Sequence, residues 1–340
     1  MSKDGDRRER TIRAMRLITL EEHYRSERVN KAIGEAGDYF RTANSAGERM
    51  AAGRLANLSE LGERRLADMD QAGIDIQVLS HTHPSPEILP AARAIPLCRI
   101  VNEELGEAVA RYPRRFAAFA TLPVADPQAA ASELEWAVGA GFKGALINGV
   151  TQGRFLDDPF FAPLLERAEA FGVPIYIHPA PPPEAVREAY FSGLEPGLAR
   201  MLSIAGWGWH AEVGLHTIRL IANGVFDRHP NLHIIIGHMG EMIPFFLARI
   251  NTVVTPFTKL QKEFADYFHA NVHITTSGIF TAPPFNLCLE VVGIDRLLFS
   301  VDYPYSPNEA GREFLEKITL APVDYEKFTH RNAEELLKIA

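Results

Sequence analysis

The stretch 232–241 (LHIIIGHMGE) decides the fold class of this chain. Its apolar centre, IIIG at 234–237, is continuous rather than alternating, which is typical of a strand buried on both faces of a parallel sheet. The runs IYIH at 175–178 and LLFSV at 297–301 have the same character. His238 and Glu241 follow the first of these runs directly. The stretch therefore predicts a buried parallel strand that ends in chemically active side chains.

Similar β-rich runs recur along the whole chain and alternate with segments of helical periodicity. They lie at 17–20, 75–80, 116–121, 144–147, 174–177, 232–237, 272–276 and 297–301. The longest helical segment between them, 86–112, contains Pro96, at which we expect a break. Eight strands alternating with eight helices predict an α/β fold of the (β/α)8 TIM-barrel type. An open, doubly wound sheet is the alternative, and the absence of a GxGxxG motif after the first run argues against it.

Two segments exceed the minimal barrel, and each follows a strand. Residues 24–57 follow strand one, and the proline-rich segment 180–208 follows strand five. Long loops at the carboxyl ends of barrel strands usually cover the active site. We expect one domain over residues 14–340, preceded by a disordered, charged tail at residues 1–13.

Composition excludes several classes of partner. The 340 residues carry a formal net charge of -8 and include no long basic run, which argues against nucleic acid as a partner. No apolar run is long enough to span a bilayer, and the N-terminus lacks the apolar stretch of a secretory signal. The two cysteines, Cys98 and Cys288, are expected to be reduced thiols in the core. These features favour a cytoplasmic enzyme that contacts neither membrane nor nucleic acid.

Residues of the type that bind metals stand at the ends of four predicted strands. Any one of them has an ordinary explanation, such as a turn aspartate before Tyr-Pro, but their coincidence at one rim of a barrel is harder to explain that way. Two imidazoles and two carboxylates that converge there suit a divalent metal with open positions. Glu22 is expected to point away from this rim and to be structural. The rim residues are Glu21 and His23, His178, His238 and Glu241, and Asp302.

Four motifs carry a resemblance to a known family. They are LEEHY at 20–24, YIHP at 176–179, IGHMGE at 236–241 and FSVDYP at 299–304. Together they resemble the decarboxylase branch of the amidohydrolase superfamily, which includes γ-resorcylate, 2,3-dihydroxybenzoate and aminocarboxymuconate semialdehyde decarboxylases. The resemblance extends from about Leu17 to the C-terminus, and residues 207–241 look especially similar to the hydroxybenzoate enzymes.

The resemblance implies a role for each matching position. Glu21, His23, His178 and Asp302 match the metal ligands of the family. His238 and Glu241 match a histidine–carboxylate pair beside the substrate, and Arg249 matches an arginine that would offset the substrate's carboxylate charge. Asn148 falls at an active-site loop position and is expected to bind the substrate, and Tyr24 is expected to pack on the substrate ring. Asp302 is the expected proton donor and His238 the alternative, and the sequence does not rank them. His81 and His83 match no family residue, and we expect them to be polar loop residues.

The implied activity is a reversible, non-oxidative decarboxylation of a small ortho-hydroxybenzoate such as 2,6- or 2,3-dihydroxybenzoate. The ring would be protonated first and CO2 lost second, with one divalent metal ion (Zn²⁺ or Mn²⁺, with Mg²⁺ as a further option) and no organic cofactor. The resemblance also implies a homo-oligomer, either a dimer or a tetramer. The alternative is a metal-dependent hydrolase of lactonase type, which the same superfamily contains. A barrel that had lost catalysis would have no reason to keep all of these ligand-type residues.

Overall fold

The structure of this chain is a computed structural model that describes residues 15–34 and 56–340. The expected tail at residues 1–13 and the part of the first insertion at residues 35–55 lie outside the described residues. No described helix combines the length and the apolar character needed to cross a membrane.

The strands form a parallel barrel, as the sequence predicts. All neighbouring strands pair in parallel, in the orders β1-β2-β3 and β4 to β9. β3 and β4 are halves of one strand joined by Phe119, whose N–H donates to the Leu79 carbonyl, so eight strand positions surround the axis. The strands are β1 (Ile18–Tyr24), β2 (Ile76–His81), β3 (Phe116–Ala118), β4 (Ala120–Thr121), β5 (Ala145–Asn148), β6 (Ile175–His178), β7 (Ile234–Ile236), β8 (Val272–Thr275) and β9 (Leu297–Leu298).

Side chains close the barrel between the last strand and the first. The Ser300 hydroxyl accepts from the backbone N–H groups of Leu20 and Glu21, at 3.2 and 2.7 Å. The carboxylate of Glu22 accepts from the N–H groups of Val301 and Tyr303, at 3.0 and 3.1 Å. Glu22 therefore has the structural role expected of it, and it satisfies backbone groups that regular strand pairing leaves open.

Helices surround the strands, and two of them fill the second insertion. The helix that contains Pro96 runs unbroken, so the expected break is wrong; only a separate 3-10 turn, Pro86–Ile88, precedes it. The described α-helices are α1 (Glu27–Ile33), α2 (Glu63–Ala72), α3 (Ala91–Arg111), α4 (Pro127–Gly139), α5 (Ala162–Phe171), α6 (Glu184–Phe191), α7 (Pro196–Ser203), α8 (Gly208–Ala222), α9 (Val225–Arg228), α10 (Ile243–Val254), α11 (Phe264–Asn271), α12 (Ala282–Val292), α13 (Asn308–Lys317), α14 (Pro322–Glu326) and α15 (Asn332–Leu337).

The core has two layers because strand side chains alternate between the faces of the sheet. Ile18, Val78, Phe119, Leu146 and Ile235 belong to the inner cluster, which Ala333 and Leu337 of α15 also join. Their chain neighbours pack instead against the helices. Tyr176 belongs to the inner cluster, so His178, two residues later on the same strand, faces the same side at the carboxyl end of the barrel.

Candidate metal centre and active site

Three predicted ligands meet at the carboxyl ends of β1 and β6. Glu21, His23 and His178 each offer one ligand atom within 4.8 Å of the others. Glu21 Oε1 lies 3.3 Å from His178 Nε2 and 3.9 Å from His23 Nε2. Asp302 adds a carboxylate whose Oδ1 lies 3.0 Å from His23 Nε2. The structure thus brings together all four side chains that the sequence assigns to a metal.

An irregularity in β1 turns both first-strand ligands inward. The pairing of β1 with β2 shifts register between Thr19 and Glu22. After this bulge, Glu21 and His23 share one face of the strand, while Glu22 takes the other face and reaches the turn after β9. The bulge explains how Leu20, an inner core residue, can be followed directly by an inward carboxylate.

Two of the predicted ligands, Glu21 and His178, are held by a further side chain. The hydroxyl of Tyr176 donates to Glu21 Oε2, which leaves Oε1 to face the histidines. Asn148 Oδ1 lies 2.9 Å from His178 Nδ1, and an amide oxygen only accepts, so Nδ1 carries the proton and Nε2 presents a lone pair. Glu87 in turn accepts from the amide nitrogen of Asn148 at 2.6 Å. Such partners fix the ring orientation of metal-ligating histidines.

The donor set fits a divalent cation. Glu21 Oε1 is buried and has no hydrogen-bond partner among the described residues. The lone pair of His178 Nε2 faces this oxygen across 3.3 Å, an arrangement that repels unless a positive charge lies between the two atoms. Two imidazoles with two carboxylates match the ligand preferences of Zn²⁺ and Mn²⁺.

The protonation states agree with metal binding. Burial lowers the pKa of His23 to about 4 and also lowers the pKa of His178, so both rings are neutral at physiological pH. Burial alone would raise the pKa of Glu21, but the nearby histidines, His238 above all, outweigh burial and hold it well below its usual range. The site therefore presents one ionised carboxylate and two neutral imidazoles. A metal ion would not have to displace protons from these ligand atoms in order to bind.

Asp302 stands apart from the other ligands in its backbone and its charge. It occupies the left-handed region, with φ of +71°, which is uncommon for a residue other than glycine. Burial, together with the charge of Glu21, raises the pKa of Asp302 to about 8. A side chain that faces the site and readily holds a proton is suited to acid–base work.

A second cluster lies beside the first. His238 Nδ1 lies 2.8 Å from Glu241 Oε1, and His210 Nδ1 lies 2.6 Å from Glu241 Oε2. His238 Nε2 lies 3.9 Å from Glu21 Oε1, so the two clusters adjoin. Burial opposes charge on His238, but Glu241 and Glu21 outweigh it and raise its pKa to about 10. This cluster places a positively charged imidazole next to the metal ligands.

The turn after β7 is strained where it presents His238. His238, Met239, Glu241 and Met242 all have positive φ, between 48° and 67°. Each such residue costs about 1–3 kcal/mol and persists only where its surroundings impose it. The turn that places His238 and Glu241 therefore lowers the stability of the fold.

Two expected site residues lie elsewhere. Arg249 is exposed on α10 because it follows the buried Leu247 by two residues, which on a helix turns a side chain to nearly the opposite face. Tyr24 alternates with His23, so it points outward, and its hydroxyl donates to Glu104 of α3 at 2.8 Å. The structure brings neither side chain into the two clusters.

Several residues near the site were not expected from the sequence. His210 is the first of these, and its position just after the second insertion is the feature of the sequence that points to the site. Tyr305 lies edge-on to His23, with ring centroids 5.3 Å apart, and its hydroxyl lies 2.7 Å from Thr82 Oγ1. His81 is buried rather than a polar loop residue, and burial lowers the pKa of His83 to about 3.

Known proteins with similar sequences and structures include several decarboxylases. Residues 56–339 match the family model described as Amidohydrolase. The decarboxylase orsB of Emericella nidulans is 38% identical over 95% of this chain and 97% of its own length. The γ-resorcylate decarboxylase of Rhizobium radiobacter is 34% identical over 95% of this chain and 98% of its own length. The dihydroxybenzoic acid decarboxylase of Polaromonas sp. JS666, solved with manganese and the inhibitor 2-nitroresorcinol, has a TM-score of 0.86 at 32% identity, with 95% of this chain and 97% of that chain covered.

Proposed function

This chain belongs to the amidohydrolase family and is a carboxy-lyase, and from that premise we propose that it decarboxylates a small ortho-hydroxybenzoate without redox chemistry. Acids such as 2,6- and 2,3-dihydroxybenzoate are the proposed substrates, and the reaction is reversible. The observation that carries the proposal is the pairing of a cation-type ligand set with acid–base side chains at one rim of the barrel. Assembly as a dimer or tetramer is part of the same proposal.

We propose that Glu21, His23, His178 and Asp302 hold one divalent ion, Mn²⁺ or Zn²⁺. The support is the unpartnered Glu21 Oε1, the opposed lone pair of His178 and the manganese in the similar decarboxylase. When bound, the ion would orient and partly neutralise the substrate carboxylate and its ortho oxygen.

The chemistry needs a proton at the ring carbon that bears the carboxylate. Direct loss of CO2 would leave an aryl carbanion, whereas protonation first gives a dearomatised ring whose electrons the ortho oxygen can carry as a carbonyl. The bond to the carboxyl carbon then breaks, CO2 leaves, and the bonding pair restores the aromatic ring. Each turnover thus consumes one proton, which the protein must supply at this carbon and later replace.

Asp302 is our proposed proton donor, and His238 is the alternative. His238 Nδ1 is committed to Glu241, so only its Nε2 is free to face the site. Asp302 borders the ligand cluster through Oδ1, and its side chain is 17% exposed, so part of it remains accessible. We infer that His238 serves as a fixed positive charge beside the substrate carboxylate, a role that the sequence assigned to Arg249, which is exposed.

The first experiment measures CO2 release from a panel of acids by purified enzyme of known metal content, with and without chelator. We expect chelator-sensitive release from 2,6- and 2,3-dihydroxybenzoate, salicylate or an orsellinate-like acid, and none from 3- or 4-hydroxybenzoate. Ring opening of a lactone, with no CO2 from any acid, would instead establish the hydrolase alternative.

The Asp302→Asn variant tests the proton donor. The amide keeps the shape of the side chain but cannot give up a proton, so we expect kcat to fall by at least about 100-fold in a folded protein. Asp295→Asn is the matched control, because Asp295 is exposed and pairs with Lys327 on the surface, at 2.6 Å. Wild-type turnover by Asp302→Asn would exclude Asp302 as the donor.

A further inference from the structure

His210 lies between two groups that only accept hydrogen bonds. Its Nε2 is 3.0 Å from the carbonyl oxygen of Ala205, and its Nδ1 is 2.6 Å from Glu241 Oε2. A carbonyl oxygen carries no proton to donate. Nε2 must therefore be the donor in the first contact, which turns Nδ1 toward Glu241.

Glu241 lies between two imidazoles. His238 Nδ1 is 2.8 Å from its Oε1, and His210 Nδ1 is 2.6 Å from its Oε2. Burial alone would raise the pKa of Glu241, but these two histidines lower it overall. Both oxygens of Glu241 are thus held, and loss of His210 would release one of them.

The second insertion places His210 in this position. Its closing turn, 204–209, packs closely on the end of α7: a side-chain carbon on Gly208 would lie 2.2 Å from the Ser203 carbonyl oxygen, so only glycine fits there. The N–H groups of Trp207 and Trp209 both donate to the Ile204 carbonyl, at 3.1 and 3.2 Å. The turn that forms these bonds also supplies Ala205, the acceptor of His210.

We propose that His210 is a positioning residue that holds Glu241, and through it His238, in the orientation needed for decarboxylation. The titratable groups near its ring are Glu241, Asp302 and His238, whose ring centroid lies 4.8 Å away. His210 thereby couples the folding of the second insertion to the geometry of the site. Its effect on turnover rests on the function proposed above, whereas its contact with Glu241 does not.

The positioning role is measurable without substrate by ¹⁵N NMR of histidine-labelled enzyme loaded with Zn²⁺. We expect His210→Gln to shift the His238 signals, assigned by their loss in His238→Gln, because Glu241 then loses the contact that holds it beside His238. His229→Gln should leave the His238 signals in place. Unchanged His238 signals in His210→Gln would overturn the proposal. If His210→Gln fails to fold, His210→Asn gives the same test.

Kinetics test the positioning role with a matched control. We expect His210→Gln to lower kcat by about 10–100-fold while KM changes less than about threefold and metal content stays at the wild-type level. His229→Gln is the control, because His229 makes a similar contact, 3.1 Å to Glu169, away from the site. Unchanged kcat in His210→Gln would overturn the positioning role. If the wild-type enzyme decarboxylated nothing, the proposed function would fail, and the NMR result would still decide whether His210 positions His238.

Discussion

At the scale of single residues, two of the proposed ligands, Glu21 and His178, owe their orientation to side chains that would not touch the metal. Asn148 is the clearest case, because its side-chain oxygen accepts a hydrogen bond from His178 Nδ1 and its side-chain nitrogen donates one to Glu87. The structure shows this contact with His178, and the substrate contact expected from the sequence stays a prediction. The contact with His178 implies that Asn148 acts on metal affinity.

The Asn148→Ala variant should therefore bind metal more weakly. Without the amide oxygen, His178 is free to rotate and to take either tautomer, and we expect the affinity for Zn²⁺ or Mn²⁺ to fall by about 10–100-fold. Competition with a chelator of known affinity measures this. Asn271→Ala is the control: its amide is also buried and donates to the carbonyls of Pro230 and Leu232, at 3.0 and 2.9 Å, remote from the ligands. An equal loss in both variants would indicate general destabilisation instead.

The sequence was sufficient to predict that the four proposed ligands lie together, but it was insufficient to predict the side chains that contact them. Glu21, His23, His178 and Asp302 were predictable because the carboxyl ends of parallel strands meet at one rim. His210 was not, because it lies on α8 and its partner Glu241 lies in the turn after β7, and only the tertiary fold brings them together. Tyr24 shows the converse: its motif matches, but strand alternation turns it toward α3.

At the scale of elements, β7 must be followed by a residue without a side chain, which is Gly237. A carbon added to Gly237 would lie 2.7 Å from Glu21 Oε2 and 3.2 Å from the Tyr176 hydroxyl. The IIIG run thus does two things: its isoleucines form the buried strand, and its glycine leaves room for the first ligand. The run predicts the strand, but the contact with Glu21 depends on the bulge in β1, which no pattern in the sequence announces.

We expect Gly237→Ala to displace Glu21 and to lower metal affinity and turnover by at least about tenfold, with about 1–3 kcal/mol lost from the free energy of unfolding. Metal analysis after dialysis and a denaturant titration measure the two effects. The matched control is Gly139→Ala at the end of α4, where an added carbon meets nothing within 4 Å. That variant should be as stable as wild type or up to about 1 kcal/mol more stable. Full metal occupancy in Gly237→Ala would contradict the argument.

At the scale of the whole molecule, the proposed metal site lies across the seam of the barrel, where the last strand, β9, meets the first strand, β1. β1 and β9 are joined by the side chains of Glu22 and Ser300 and by a backbone bond from the His23 N–H to the Tyr303 carbonyl, at 2.7 Å. Glu21 and Asp302 flank the same seam from opposite ends of the chain. A bound ion would therefore link the first strand to the last.

Removal of the metal should consequently lower the stability of the entire domain. An ion present at about 100 times its Kd adds about 2.7 kcal/mol to the free energy of unfolding, which for a chain of this size corresponds to a Tm change on the order of 5 °C. Calorimetry of the enzyme before and after chelation measures the change. Glu21→Gln serves as the control, because a variant that cannot hold the ion should melt at the same temperature with and without chelator. Equal Tm values for metal-loaded and metal-free wild type would contradict this prediction and show that the ion does not bind the folded chain in preference to the unfolded chain.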